Sequence, residues 1–127
     1  MKLVIDSSIL IDYLRGGTKW QKFLSEVPRN AELFLPVIVI FELFSGKSTK
    51  KSSITKMVLN LLKQFTYIEI NEAIAIKAGH LSRDIGYHID PTDYIIAASA
   101  LDIGGTVVTL NRKHFEQIPG LDLYSLP

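Results

Sequence analysis

An α/β fold is what this sequence predicts, with a central parallel sheet of about five strands flanked by helices on both faces. Three observations carry that expectation. Short β-branched apolar runs alternate along the chain with longer segments that are apolar at helical spacing. The first run, Lys2-Leu3-Val4-Ile5, ends on a carboxylate, Asp6, and passes at once into a helical pattern, which is where open α/β sheets place their chemistry. Finally, no repeat, linker or low-complexity tract divides the 127 residues, a length that suits one domain over 1–127 and is too short for a second.

Taken in order, the chain starts with a buried strand to Ile5, followed by a helix for which Ser7 or Ser8 is available as N-cap. It is apolar on one side from Ile9 to Leu14 and is stopped by Gly16-Gly17. Thr18 caps a second short helix, with Trp20, Phe23, Leu24 and Val27 at helical spacing, ending before Pro28. Leu33-Phe34-Leu35 reads as a strand. The run Pro36 to Phe44 is rich in β-branched residues, yet Pro at a first helical position and Gly46 as a stop favour a helix there. Residues Ser48 to Gln64 form a helix behind a basic, serine-rich entry, and Tyr67 to Ile70 a strand. Asn71 caps a helix to about Ile85, ended by Gly86; Asp90-Pro91 opens another that runs to Gly104-Gly105. Thr106 to Leu110 is the fourth strand, Asn111 caps a short helix from Arg112 to Gln117, and Leu121 to Tyr124 is a terminal strand.

Composition narrows the setting. An apolar fraction of 47% and a mean hydropathy of +0.21 are high for a small monomer, so part of the apolar surface is expected to close a homodimer. Without cysteine there is no disulfide framework, thiolate nucleophile or cysteine zinc site. Few apolar residues precede Asp6, far short of a secretory or spanning segment, so a cytoplasmic protein with no membrane association is expected. A formal charge of +1 gives no global pull on nucleic acid, and a polyanion would have to be held by local cations.

Asp6, Glu42, Asp93 and Asn111 each sit at the edge of an apolar segment, and the predicted topology sends all four toward one edge of the sheet. Carboxylates gathered within a few ångströms repel, and one takes up a proton unless a cation neutralises them. An all-oxygen site of this kind suits Mg²⁺, or Mn²⁺, held by a few carboxylates and completed by substrate phosphate. Such an ion lowers the pKa of a bound water and offsets charge in the transition state, which points to phosphodiester hydrolysis. Each residue also has a plainer reading. Asp90-Pro91-Thr92-Asp93 is a good helix start in its own right, and Asp6 could be a turn former. Glu42 is harder to dismiss, because an unpaired charge in so apolar a run is costly.

The histidines at 80, 88 and 114 lack metal-ligand spacing, so surface or capping roles are expected and zinc is not indicated. Lys47, Lys50, Lys51 and Lys56 read first as a solvated face and second as a route for RNA phosphates. Arg112 and Lys113, beside Asn111, are expected to flank the acidic pocket.

Four blocks in order, Val4 to Leu14, Phe41-Glu42-Leu43, Asp93 to Ala100 and Val108 to Phe115, resemble PIN-domain proteins and, among those, toxins of the VapC type. The resemblance spans nearly the whole chain. It implies a PIN-like fold, Mg²⁺-dependent endoribonuclease activity, a homodimer, and neutralisation by a small cognate antitoxin as in type II toxin–antitoxin pairs. Asp6, Glu42 and Asp93 match the family's three strongest acidic positions, which implies metal binding by these residues. Ser8 stands where a supporting polar residue is common. At the fourth acidic position the chain departs from the pattern, with Asn111 and His114 in the matching segment and Asp90 as an extra acid. Asparagine adds no negative charge, which puts a second metal in doubt. On this reading Asp6 and Asp93 bind the ion directly, Glu42 binds through water or orients the nucleophile, and Asn111 with Ser8 holds metal-bound waters. Arg112, Lys113 and Arg15 steady the RNA backbone without reading sequence.

Two alternatives share the fold. A phosphatase of the dehalogenase type needs a second aspartate two residues after the first, where Ser8 stands, and a receiver domain needs an adjacent acidic pair that is missing here. A catalytically weak or inactive binding module draws some support from the altered fourth position.

Overall fold

The structure, a computed structural model, describes residues 1–86 and 89–127, so His88 lies outside the described residues. Five strands, β1 (Lys2–Ile5), β2 (Glu32–Pro36), β3 (Thr66–Ile68), β4 (Thr106–Val108) and β5 (Asp122–Leu123), form one sheet in the order β3-β2-β1-β4-β5. Every pairing is parallel. Among the described residues the helices are α1 (Ser7–Leu14), α2 (Lys19–Glu26), α3 (Val37–Ser45), α4 (Ser52–Leu62), α5 (Glu72–Ile85), α6 (Pro91–Ile103) and α7 (Arg112–Phe115).

Side chains alternate across a strand, yet Leu3, Val4 and Ile5 are all fully buried, so both faces of the sheet are covered at β1. Such a strand has no polar face to show, and its sequence reads as a continuous apolar run. Helix α6 is buried nearly all round, from Tyr94 to Ala100 with only Ile95 in part exposed, because Ala97, Ala98 and Ala100 let it lie close to α5, α3 and β4. Gly104 ends it in the left-handed region at φ 66°. At Gly105 a Cβ would come within 2.7 Å of Val4 Cγ2, so β4 can enter beside β1 only without a side chain there.

Several boundaries differ from the sequence expectation for identifiable reasons. Pro36 is the last residue of β2, in register with Ile68, and precedes α3 as its N-cap rather than opening it, since its fixed φ suits an extended end equally well. The basic entry before α4 is a separate 3₁₀ turn, Lys47–Lys50, held by hydroxyl bonds that draw the chain away from the α geometry. β4 and β5 are shorter than expected, and α7 ends at Phe115. At α1 the N-cap is Asp6 and neither Ser7 nor Ser8 caps it, while Thr18, Asp90 and Asn111 stand at N-cap positions without side-chain capping bonds. Asn71 does cap α5, accepting the Ile74 N–H at 2.8 Å. Among the described residues no helix is long and apolar enough to cross a membrane.

Candidate active site

The chain leaves β1 for β2 on one side, and β4 pairs on the other, so the carboxyl ends of β1 and β4 flank the topological switch point. Asp6 follows β1 directly, and its N–H donates to the Val108 carbonyl at 3.0 Å, extending the ladder by one bond. Because Ile5 is in register with Val108, Asp6 and Thr109 emerge side by side. The Thr109 hydroxyl donates to Asp6 Oδ2 at 2.7 Å, and the Ser8 hydroxyl donates to the same atom at 2.7 Å. Each hydroxyl is itself fixed by a backbone donor, Leu110 N–H on Ser8 Oγ and Asn111 N–H on Thr109 Oγ1, both at 2.9 Å. One carboxylate oxygen is thereby held by two relays, and Asp6, 1% exposed, keeps its other oxygen, Oδ1, buried without a partner.

Glu42 lies on the α3 turn that faces this point. Thr92 donates to its Oε2 at 3.2 Å, and the Ser7 hydroxyl is near enough to favour the ionised form, while Oε1 is buried and unpartnered. Burial, and next the negative charge of Asp6, push its pKa up to about 7 against the pull of the two hydroxyls. Asp93, in the first turn of α6 and 6% exposed, has His114 Nδ1 at 2.8 Å from Oδ2. Its pKa is also raised, by burial first; the His114 hydrogen bond opposes this, and Asp6 and Asp90 add to it. The three acids therefore feel one another, although they come from β1, α3 and α6.

Glu42 and Asp93 line a cleft of about 450 Å³ together with Ser8, Arg15, Asn111 and His114. Asp6 lies beneath it. Among the described residues only Asp6 Oδ1 and Glu42 Oε1 are buried side-chain oxygens or nitrogens without a hydrogen-bond partner. Both belong to acids singled out as metal ligands, and hard oxygen donors that lack protons or partners are what Mg²⁺ takes. The donor set fits the ion. Among the described residues no group of three or more His, Asp or Glu stands close enough together to hold a metal ion as placed.

The other expected residues are placed unevenly. Arg15 and Asn111 line the cleft, Asn111 at its exposed rim, and Asp90 is a lining acid at the start of α6. Ser8 orients Asp6, donating its hydroxyl proton to the carboxylate. Arg112 and Lys113 line no part of the cleft. Arg112 turns instead to the Tyr124 carbonyl at 3.2 Å and to Glu116 at 3.6 Å, because α7 directs its first turn toward the chain's last segment. His114, expected on the surface or at a cap, is instead the partner of Asp93. Thr109, Thr92 and Ser7 were not anticipated. The position of Thr109, one residue past β4 as Asp6 is one past β1, would have marked it had the register been known.

Fold and cleft together define the class, an α/β protein with an acidic pocket at its switch point. The family model described as PIN domain matches residues 3–121. The sequence is 32% identical to Ribonuclease VapC19 of Mycobacterium tuberculosis over 95% of this chain and 97% of that protein. It is also 32% identical to Ribonuclease VapC1 of Methanocaldococcus jannaschii, over 97% of this chain and 87% of that one. Among solved structures, VapBC2 from Rickettsia felis, bound to a DNA fragment from its promoter, superposes with a TM-score of 0.83 at 21% identity, covering 100% of both chains. The chain belongs to the PIN-domain family and groups with its VapC ribonucleases.

Proposed function

We propose that this protein is a Mg²⁺-dependent endoribonuclease, one PIN domain over 1–127, acting as the toxin of a VapBC-type pair. The observation that carries the metal-dependent reading is the pair of buried, unpartnered carboxylate oxygens, Asp6 Oδ1 and Glu42 Oε1, at the switch-point cleft. Asp6, Asp93 and Glu42 would hold the ion, with Mn²⁺ as a substitute. When bound, the ion supplies a water of lowered pKa and positive charge against the phosphate. The residues do the rest. Ser8 and Thr109 fix the Asp6 carboxylate, and His114 fixes that of Asp93. Glu42, with a pKa near the working range, is suited to orient the attacking water and accept its proton as the water oxygen bonds phosphorus and the P–O bond to the leaving ribose breaks, the ribose oxygen taking a proton from solvent. Asn111 offers a neutral carbonyl at the rim, and Arg15 offers a cation to the RNA backbone.

Cleavage of a labelled RNA with and without Mg²⁺, beside calorimetric titration with Mn²⁺, tests this reading. Asp93→Asn should keep the fold, since amide and acid are alike in size, and lose metal-stimulated cleavage by a factor of about 100 or more. Equal cleavage by variant and wild type would remove Asp93 from catalysis. Absence of Mn²⁺ binding would favour an inert PIN-fold binding module.

The antitoxin partner is supported by relatives named VapC ribonucleases and by neighbouring structures that are VapBC assemblies. Co-purification with the product of an adjacent short reading frame tests it. Exposed Phe41, Met57, Leu59 and Ile76 support a homodimer, to be checked by elution at micromolar concentration, and a cytoplasmic location accords with an RNA substrate.

A further inference from the structure

Two of the three acids have partners that set their orientation, Asp6 in Ser8 and Thr109 and Asp93 in His114. Glu42 is the hardest of the three to place, because a glutamate carries one more rotatable bond than an aspartate and loses more freedom when it is held. It hangs from α3, an element that contributes neither of the other acids.

The residue that reaches it is Thr92, the second residue of α6 and half-buried. Hydroxyls inside a helix often bond the carbonyl four residues back, as Ser99 does to Ile95 at 2.7 Å. In the first turn that carbonyl lies outside the helix, which leaves the hydroxyl available to another element. Thr92 directs its hydroxyl fifty residues back along the chain, to Glu42 Oε2 at 3.2 Å. The base of this contact is firm. Pro91 fixes the first helical φ, the Asp93 N–H closes on the Asp90 carbonyl at 2.9 Å, and Ala97, Ala98 and Ala100 bury the turns that follow.

Thr92 is also the chain neighbour of Asp93, so one turn of backbone carries an acid of the cleft and holds another. Ser7, 7% exposed and near enough to favour ionised Glu42, is in the same way the neighbour of Asp6. Glu42 therefore stands between two hydroxyls, each adjacent in sequence to one of the other acids. With Oε2 engaged by Thr92, Oε1 is the oxygen left buried and unpartnered.

We propose that Thr92 is a positioning residue for the hydrolysis: its hydroxyl holds Glu42 Oε2, leaves Oε1 for the ion or the attacking water, and keeps Glu42 in register with Asp93 on the same helical turn. This rests on the ribonuclease reading and adds to it how the third acid is placed. A bond that merely tied α3 to α6 would be felt by Asp93 as much as by Glu42, whereas a positioning bond acts through Glu42 alone.

The test is a double-mutant cycle of Thr92→Val and Glu42→Ala, read by calorimetric titration with Mn²⁺, beside steady-state cleavage of a labelled RNA in Mg²⁺. Valine matches threonine in size without the hydroxyl. Thr92→Val should weaken Mn²⁺ binding about tenfold and lower kcat about tenfold, as expected when a ligand loses its orienting partner, with KM for RNA within about twofold of the wild type. In the Glu42→Ala background, with no carboxylate left to hold, the same substitution should change Mn²⁺ affinity by less than about twofold. Thr92→Ser keeps the hydroxyl and should bind Mn²⁺ and cleave close to the wild type. Circular dichroism checks each fold, and if valine is not accommodated Thr92→Ala carries the same cycle. A Thr92→Val protein equal to the wild type, the same loss in both backgrounds, or a serine that fails to rescue overturns the inference, while cleavage by the wild type leaves the ribonuclease reading standing. A wild type that neither binds Mn²⁺ nor cuts RNA overturns both.

Discussion

Glu42→Gln should make the metal-free protein more stable above neutral pH while removing metal-stimulated cleavage. The carboxyl titrates at 4.5 when unperturbed and at about 7 in the fold, so between these values the folded state holds a proton that the unfolded chain has lost. Stability from that proton is fully present below 4.5 and is lost as pH rises through about 7. The full gap is worth roughly 3.4 kcal/mol at about 1.4 kcal/mol per pH unit, and solvent screening of a carboxyl that is only part buried brings this to about 1–2 kcal/mol. Glutamine does not titrate, and its amide can give the neighbouring Asp6 a donor. Urea denaturation in EDTA at pH 5 and pH 8 measures the difference, in which the other titrating groups cancel. Wild type should lose about 1–2 kcal/mol relative to the variant over that span. Saturating Mn²⁺ should return about 2.7 kcal/mol to the wild type at a hundredfold excess over its dissociation constant, and less to the variant. Parallel stability curves from pH 5 to pH 8 in EDTA would refute the placing of Glu42 beside Asp6 in a desolvated pocket.

Thr109→Val, nearly equal in volume, removes a donor to Asp6 and the acceptor of the Asn111 N–H; it should cost about 1–3 kcal/mol in denaturation and weaken Mn²⁺ binding, and an unchanged Mn²⁺ isotherm would deny Thr109 its role. His114→Ala removes the hydrogen bond that holds the Asp93 pKa down, so Mn²⁺ binding should move to higher pH, and a shift to lower pH or none would count against the pairing. Gly105→Ala pushes a methyl to 2.7 Å from Val4 and should cost about 1–3 kcal/mol by denaturation, with wild-type stability speaking against the close approach of β4 to β1.

The acids were legible because each breaks a local pattern. Asp6 ends a buried strand, Asp93 follows a proline that opens a helix, and Glu42 puts a charge in a run too apolar to hold one without a reason. Their partners were not legible, because hydroxyls and a lone histidine break no pattern. Thr109 reads as the end of a strand until the β1–β4 register sets it beside Asp6, and His114 reads as a surface residue until α7 is folded against α6. Arg112 shows the reverse error. Adjacency to Asn111 in sequence suggested a place in the cleft, yet Asn111 is the non-helical N-cap and Arg112 opens α7, its guanidinium meeting the Tyr124 carbonyl and Glu116 instead. Strand order likewise had to come from the structure, since nothing local fixes which of two apolar strands will flank β1.

The neutral Asn111 at the fourth position follows from the electrostatics of the other three. Burial first, then the charge of Asp6 and last that of Asp93, already push Glu42 up to about 7, so the metal-free cleft resists holding all its carboxyls ionised. A fourth carboxylate would push the same way and deepen the cost of folding without a cation. Asn111→Asp should therefore tighten Mn²⁺ binding and destabilise the metal-free protein, both modestly, because the position is exposed and screened; about 0.5–1 kcal/mol each way is the expected size. Calorimetry with Mn²⁺ and urea denaturation in EDTA at pH 8 read the two effects separately. If the aspartate tightened neither the ion nor loosened the empty fold, Asn111 would be too far from the acids to belong to their site, and three carboxylates would be the whole of it.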